Sequence, residues 1–132
     1  MPAFPSRSQF LAKGIAYRAG MAPPKNDFKL DPQLAKTGAE IAGLSGYACS
    51  ACHAAGETPA LQAFEGQGPN LKLSGERLRP DYFHTWMYWP QRFPTTIMPK
   101  YTVDKKRALN ETFFEGDADA QFNAVWHWLH TL

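Results

Sequence analysis

Apolar positions recur at helical intervals in three stretches of the chain. Leu34, Gly38, Ile41 and Ala42 follow one stripe, and Asp31-Pro32 stands before them as an N-cap with proline at the first helical position. Gly43, Ser45 and Gly46 close that helix. A second helix starts at Pro80, ends before Pro90, and places Tyr82, Phe83, Trp86 and Met87 on one face. A third starts at Gly116-Asp117 and carries Phe122, Val125, Trp126 and Leu129 at i, i+3, i+4 and i+7. A shorter helix is expected around Phe10–Tyr17. Residues 55–75 hold no period, contain Gly56, Pro59, Gly66, Gly68, Pro69 and Gly75, and read as a long loop with one helical turn near Leu61–Phe64. Residues 90–110 are a second irregular stretch. No alternating pattern survives more than four residues, so the fold class is all-α: three to five helices with long connecting loops.

The chain of 132 residues has room for one core and is too short for a doubly wound dehydrogenase, a barrel or a repeat array. Hydrophobic residues make up 44% and charged residues 20%, which describes a globular chain rather than a disordered one. Aromatics reach 14%, four of them Trp, so the core is expected to enclose something large and flat or to include a sizeable interface. A loop as long as 55–75 in so small a domain is usually functional. Residues 1–30 carry Arg7, Lys13, Arg18, Lys25 and Lys29 against Asp27 and begin and end in prolines (Pro2, Pro5, Pro23, Pro24). They read as a basic arm or linker, with residues 31–132 as the folded domain. Lys100, Lys105, Lys106 and Arg107 form a second basic stretch, and Glu111, Glu115, Asp117 and Asp119 an acidic one. A net charge of +2 is too weak to argue for nucleic acid. No apolar run is long enough to span a bilayer, and the first twenty residues lack the apolar run of an export signal.

Both cysteines fall in Cys49-Ser50-Ala51-Cys52-His53, the CxxCH attachment pattern of c-type haem. The chemistry requires this spacing. Two thiols three residues apart on one helical turn reach two vinyl groups along one porphyrin edge, and the next residue brings an imidazole under the iron. A zinc site would need a second cysteine pair, and His84, His127 and His130 would complete one only by coincidence. A thioredoxin-like pair would need a βαβ context that the chain lacks. One pair three residues apart makes no disulfide framework. The expected cofactor is one covalent haem c, with His53 as one metal ligand. Among four methionines, Met1 and Met21 lie in the arm and Met87 in the aromatic helix, whereas Met98 sits in a loop pinned by Pro99. Met98 is the expected second ligand and His84 its rival. Arg77, Arg79, Lys100 and Tyr101 are candidates to bond a propionate. Tyr82, Trp86, Trp89 and Phe93 are expected to wall the haem.

CSACH, then GPNL at Gly68–Leu71, then IMPKY at Ile97–Tyr101, resembles a class I cytochrome c over residues 31–132. The run GERLRPDYFHTWMYWPQRFPTTIMPKY followed by GDADAQFNAVWHWL resembles, more closely, C-terminal cytochrome c domains of planctomycete-type multidomain cytochromes. The basic arm is not part of the minimal family pattern. The resemblance implies a cytochrome c-like fold in which the terminal helices cross at Gly38, with Trp126 or Trp128 packed over it. It implies that the Pro69 carbonyl accepts a hydrogen bond from the His53 ring, fixing its tautomer. It implies haem attachment in a periplasm or equivalent compartment.

An iron held by His and Met has no open position and suits one-electron transfer rather than catalysis. The expected function is electron transfer, as a free shuttle or as the haem subunit of a larger redox complex assembled through residues 1–30. The expected partners are redox proteins with an acidic docking surface, steered by the basic stretch Lys100–Arg107. The alternative is a haem enzyme or sensor in which Met98 yields to peroxide or another small molecule. That reading lacks a distal acid–base group near Met98.

Overall fold

A computed structural model of the chain describes residues 7–20, 27–61, 66–104 and 106–132. Met1, Pro2, Pro5, Met21, Pro23, Pro24 and Lys105 lie outside the described residues, as does most of the turn expected at Leu61–Phe64. Six α-helices run in chain order through the described residues: α1 (Ser8–Arg18), α2 (Pro32–Ala42), α3 (Cys49–Cys52), α4 (Lys72–Arg77), α5 (Pro80–Tyr88) and α6 (Ala118–Leu129). Two single 3-10 turns, Pro90–Arg92 and Phe114–Gly116, complete them. The only extended pairing among the described residues is in isolated bridges, such as His53 with Gly68 and Thr102 with Ala108. The all-α class expected from the periodicity is the class observed.

Local chemistry sets the helix ends. Asp31 Oδ1 accepts from the N–H groups of Gln33 and Leu34 at 2.8 and 3.2 Å, and Pro32 occupies the position where no N–H is needed. Asp117 Oδ1 does the same for Ala120 at 2.8 Å at the start of α6. α2 stops at Gly43, and the chain folds back at once: Tyr47 N donates to Ile41 O and Ala48 N to Gly43 O. Ala48 then takes a left-handed conformation (φ 54°), which turns the chain sharply into α3.

The core is the crossing of α2 and α6. α2 buries Ala35, Gly38, Ile41 and Ala42; α6 buries eight residues, among them Phe122, Val125, Trp126 and Leu129. Gly38 meets the backbone of Ala124 and Val125, where a Cβ would fall inside the Ala124 carbonyl and 2.9 Å from Val125 N. The close approach expected at Gly38 is therefore present, and the nearest atoms across it are the helix backbone of Ala124 and Val125. The physical reason is that a glycine at the contact lets the axes approach until main chain touches main chain.

α5 divides its aromatic residues into two stripes rather than presenting one. Phe83 and Met87 are buried against α6, with the Phe83 ring 5.2 Å from that of Trp126. Tyr82 and Trp86 lie on the neighbouring stripe and stack on each other away from that contact. α4 interrupts the loop expected over 55–75, and its first N–H is capped by Asn70 Oδ1 at 3.0 Å. α1 is longer than the expected Phe10–Tyr17 segment and buries none of its residues. Among the described residues no helix is long and apolar enough to cross a membrane.

Candidate functional site

Cys49 and Cys52 share the single turn of α3 as free thiols, Cys49 buried and Cys52 partly exposed. Burial pushes the Cys49 thiol up from 9.0 to about 12, and the neighbouring Cys52 adds to the effect, so Cys49 is protonated at neutral pH. His53 ends the turn: its N–H donates to Cys49 O at 2.9 Å and its backbone becomes extended. The extended stretch pairs with Gly68, whose N–H donates to Cys52 O at 2.9 Å. Gly68 lies flat against the imidazole, where any Cβ would collide with three ring atoms of His53.

The carbonyl of Pro69 stands 2.8 Å from His53 Nδ1. A carbonyl only accepts, so Nδ1 carries the proton and donates, and the lone pair of the neutral ring is left on Nε2. The loop that supplies Gly68 and Pro69 is itself fixed. Asn70 donates from Nδ2 to Gly56 O at 2.8 Å and accepts from Gly56 N at 3.1 Å, while Leu71 N donates to Ala54 O at 2.8 Å.

A second group gathers at Met98. Its Sδ accepts from Trp86 Nε1 at 3.0 Å, its carbonyl accepts from Gln91 Nε2 at 2.7 Å, and its N–H donates to Thr96 Oγ1 at 3.2 Å. The Trp86 ring stacks with Phe93 at 5.4 Å and with Tyr82 at 6.4 Å. The Arg92 guanidinium lies over Phe93 and Tyr82, 5.0 and 5.6 Å from their centroids. Tyr82, Phe93 and Ile97 nonetheless keep large exposed areas, and Trp89 is 60% exposed.

Tyr101 belongs with the thiols. Its hydroxyl is pushed up by burial first and then by Cys49 and Cys52. Its ring lies tilted against that of Tyr47, centroids 4.4 Å apart, and the Tyr47 hydroxyl donates to Gln121 Oε1 deep in the core. Gln121 is satisfied in turn by donating to Asn110 O and Phe113 O, each at 2.7 Å. Lys100 is exposed beside Tyr101 and helps line an open cavity of about 520 Å³ with Gly46, Tyr47, Pro99 and Glu111. Arg77 is exposed at the last position of α4, and Arg79 Nε lies 3.5 Å from an Asp81 carboxylate oxygen. His84 Nδ1 sits 3.3 Å from Asp119 and its ring edges onto Phe122, so its polar contact is with α6.

The structure thus brings Cys49, Cys52, His53 and Pro69 into one group and Tyr82, Trp86, Phe93 and Met98 into another, with Tyr101 against the thiols. Tyr47, Asn70, Gln91, Arg92 and Gln121 were not expected from the sequence. A buried tyrosine demands a polar partner, which is the one signal that pointed to a residue such as Gln121. Among the described residues no three His, Cys, Asp or Glu side chains are gathered as around a bare metal ion. No protein-family model matches the chain, and no curated protein matches it.

Proposed function

We propose that this chain is a class I cytochrome c domain that moves single electrons through one covalently attached haem c. The observation that carries the reading is the His53 Nδ1–Pro69 carbonyl hydrogen bond of 2.8 Å, made by the residue that directly follows the CxxC turn. That bond commits Nε2 to act as a base toward a metal and raises its basicity. The residues fit the group. Cys49 and Cys52 Sγ would hold it by two thioether bonds, and His53 Nε2 and Met98 Sδ would be the side-chain atoms that bind its iron. When bound, the group would supply a one-electron iron couple whose potential a thioether ligand raises.

The remaining roles belong to the chain. Gly68 lets the loop close on the imidazole, Pro69 holds the imidazole's proton, and Asn70 pins the loop to Gly56. Trp86, Gln91 and Thr96 hold Met98 in place, and Tyr82 and Phe93 flank the Trp86 ring that bonds its sulfur. His84, already engaged with Asp119, is the weaker candidate for the second ligand. Attachment to two thiols places maturation in a periplasm or equivalent compartment, and an acidic redox partner is the expected docking partner.

Visible absorption of the chain, matured with haem-attachment machinery and then oxidised and reduced, tests the reading. A sharp reduced α band and the weak red ferric band of sulfur ligation are expected, the second lost in Met98→Ala and both absent in Cys49→Ala/Cys52→Ala. A chain that takes up no haem overturns the proposal. A haem spectrum indifferent to Met98→Ala moves the second ligand elsewhere. Size-exclusion chromatography with and without residues 1–30 separates a free shuttle from a subunit held by its arm.

A further inference from the structure

The segment that leads into α2 lies across the last turns of α6. The ring of Phe28 stands 4.9 Å from that of His127 and 4.2 Å from that of His130. The backbone N–H of Asp31 donates to His127 Nδ1 at 2.9 Å, joining residues 96 positions apart. This bond requires a bare nitrogen at Nδ1, so the one proton of the imidazole is on Nε2.

His130, one turn on, is held in the opposite sense. Its Nδ1 lies 2.9 Å from the Trp126 carbonyl, so that nitrogen donates whether the ring is neutral or charged. Charging His130 leaves its contact intact. Charging His127 turns an acceptor into a donor aimed at another N–H, and both donors lose their partner.

The charged groups acting on His127 are Asp31, which favours its protonation, and His130, which opposes it. Burial opposes it more strongly than either, and the balance lowers the pKa of His127 from 6.5. Asp31 is committed elsewhere, its Oδ1 accepting from Gln33 and Leu34. The attraction of a cation for the Phe28 ring works against release, but it restores neither lost hydrogen bond.

We propose that His127 is a pH-sensitive clasp: neutral, it fastens residues 28–31 to the last helix, and protonated, it lets them go. The change is local. The α2–α6 crossing at Gly38 involves neither Phe28 nor His127 and stays closed, while residues 28–31 become free to move. The clasp makes the attachment of the basic arm dependent on the pH of the compartment, and it does not rest on the haem reading.

Hydrogen exchange at the Asp31 amide of the full chain, corrected for intrinsic exchange and referenced to the Ile41 amide within α2, tests this. Protection at Asp31 is expected to fall as pH drops below about 6.5, by at most about tenfold per pH unit, and to stay well below that at Ile41 throughout. In His127→Asn the side-chain oxygen takes the place of Nδ1 and does not titrate, so protection at Asp31 becomes independent of pH. Constant protection in the unmodified chain overturns the clasp. So does an Asn variant that still titrates, or protection at Asp31 as high as that at Ile41, which would mean that Asp31 opens only with the whole fold.

Discussion

The indole N–H of Trp86 donates to the sulfur of Met98 at 3.0 Å, linking α5 to the loop that follows it. A thioether is a weak acceptor, and an indole has no other way to be satisfied in an aromatic stack. The bond therefore serves both residues. It aims the Met98 sulfur while Gln91 and Thr96 fix the backbone of the same residue. Trp86 is in turn immobilised between Tyr82 and Phe93, so the loop geometry is set by a helix and not by the loop alone.

Replacing Trp86 with Phe keeps the stack and removes the donor. A hydrogen bond at sulfur withdraws electron density from it, which disfavours the oxidised metal more than the reduced one. Under the electron-transfer reading, Trp86→Phe should therefore lower the reduction potential, by at most about 40 mV for the roughly 1 kcal/mol of one hydrogen bond. Spectroelectrochemical titration of the two proteins measures this directly. A potential that is unchanged or rises would show that the indole does not bond the ligating sulfur.

Two glycines make different predictions about stability. In Gly38→Ala the new methyl would collide with the Ala124 carbonyl, and neither helix backbone can give way cheaply. The cost should be about 1–3 kcal/mol or more, read as a lower urea midpoint. A Cβ at Gly14 in α1 meets nothing within 4 Å. Gly14→Ala should leave the global midpoint unchanged and raise helix content slightly, since alanine favours an exposed helix by roughly 0.5–1 kcal/mol.

Much of this architecture is legible because its causes are local. Asp31-Pro32 and Asp117 are caps whose partners lie two or three residues away, so the starts of α2 and α6 can be read directly. The stripe Phe122, Val125, Trp126, Leu129 is buried as its spacing says. The helix Lys72–Arg77 is hidden because Ser74 and Gly75 weaken the local signal. Its glycine is explained only by the tertiary contact of a would-be Cβ with Leu129 O at 3.0 Å. The site divides the same way. CxxCH is contiguous and visible, and the Pro69 contact follows only from the family resemblance. The Trp86–Met98 bond and the Tyr47–Gln121 bond depend on how separate elements meet, which no periodicity encodes.

The buried thiol gives a dependence on alkaline pH. The Cys49 thiol titrates at about 12 in the fold against 9.0 as its ordinary value, and burial also raises the hydroxyls of Tyr47 and Tyr101 above 10.0. The folded chain thus holds more protons than the unfolded chain above pH 9. Stability is full below that pH and falls as pH rises. In chain produced without haem, the urea midpoint should decline from about pH 9 upward, less steeply in Cys49→Ala. In haem-loaded chain a thioether cannot titrate, so only the tyrosine part of the decline should remain. Identical pH profiles for the two preparations would argue against attachment through Cys49.

Under the electron-transfer reading, the exposed cations beside the Met98 loop should decide which redox reagents react fastest. Asp104 offsets part of their charge: its carboxylate accepts from the backbone N–H groups of Lys106 and Arg107 at 2.8 and 2.9 Å, which hold it below the ordinary carboxylate range and so ionised. Arg107 is paired with Glu111, which leaves Lys100 and Lys106 as the exposed cations of the described stretch not held in that pair. Surface charges of this kind act on encounter and are screened within about 10 Å at 0.1 M salt. Lys100→Glu/Lys106→Glu should therefore slow oxidation by ferricyanide and speed reduction by hexaammineruthenium at low ionic strength, with both differences closing as salt is added. Stopped-flow measurement with the two reagents makes the sign decisive. Rates that shift in the same direction with both reagents would point to a structural change instead, and rates that shift with neither would place the electron's exit away from the Met98 loop.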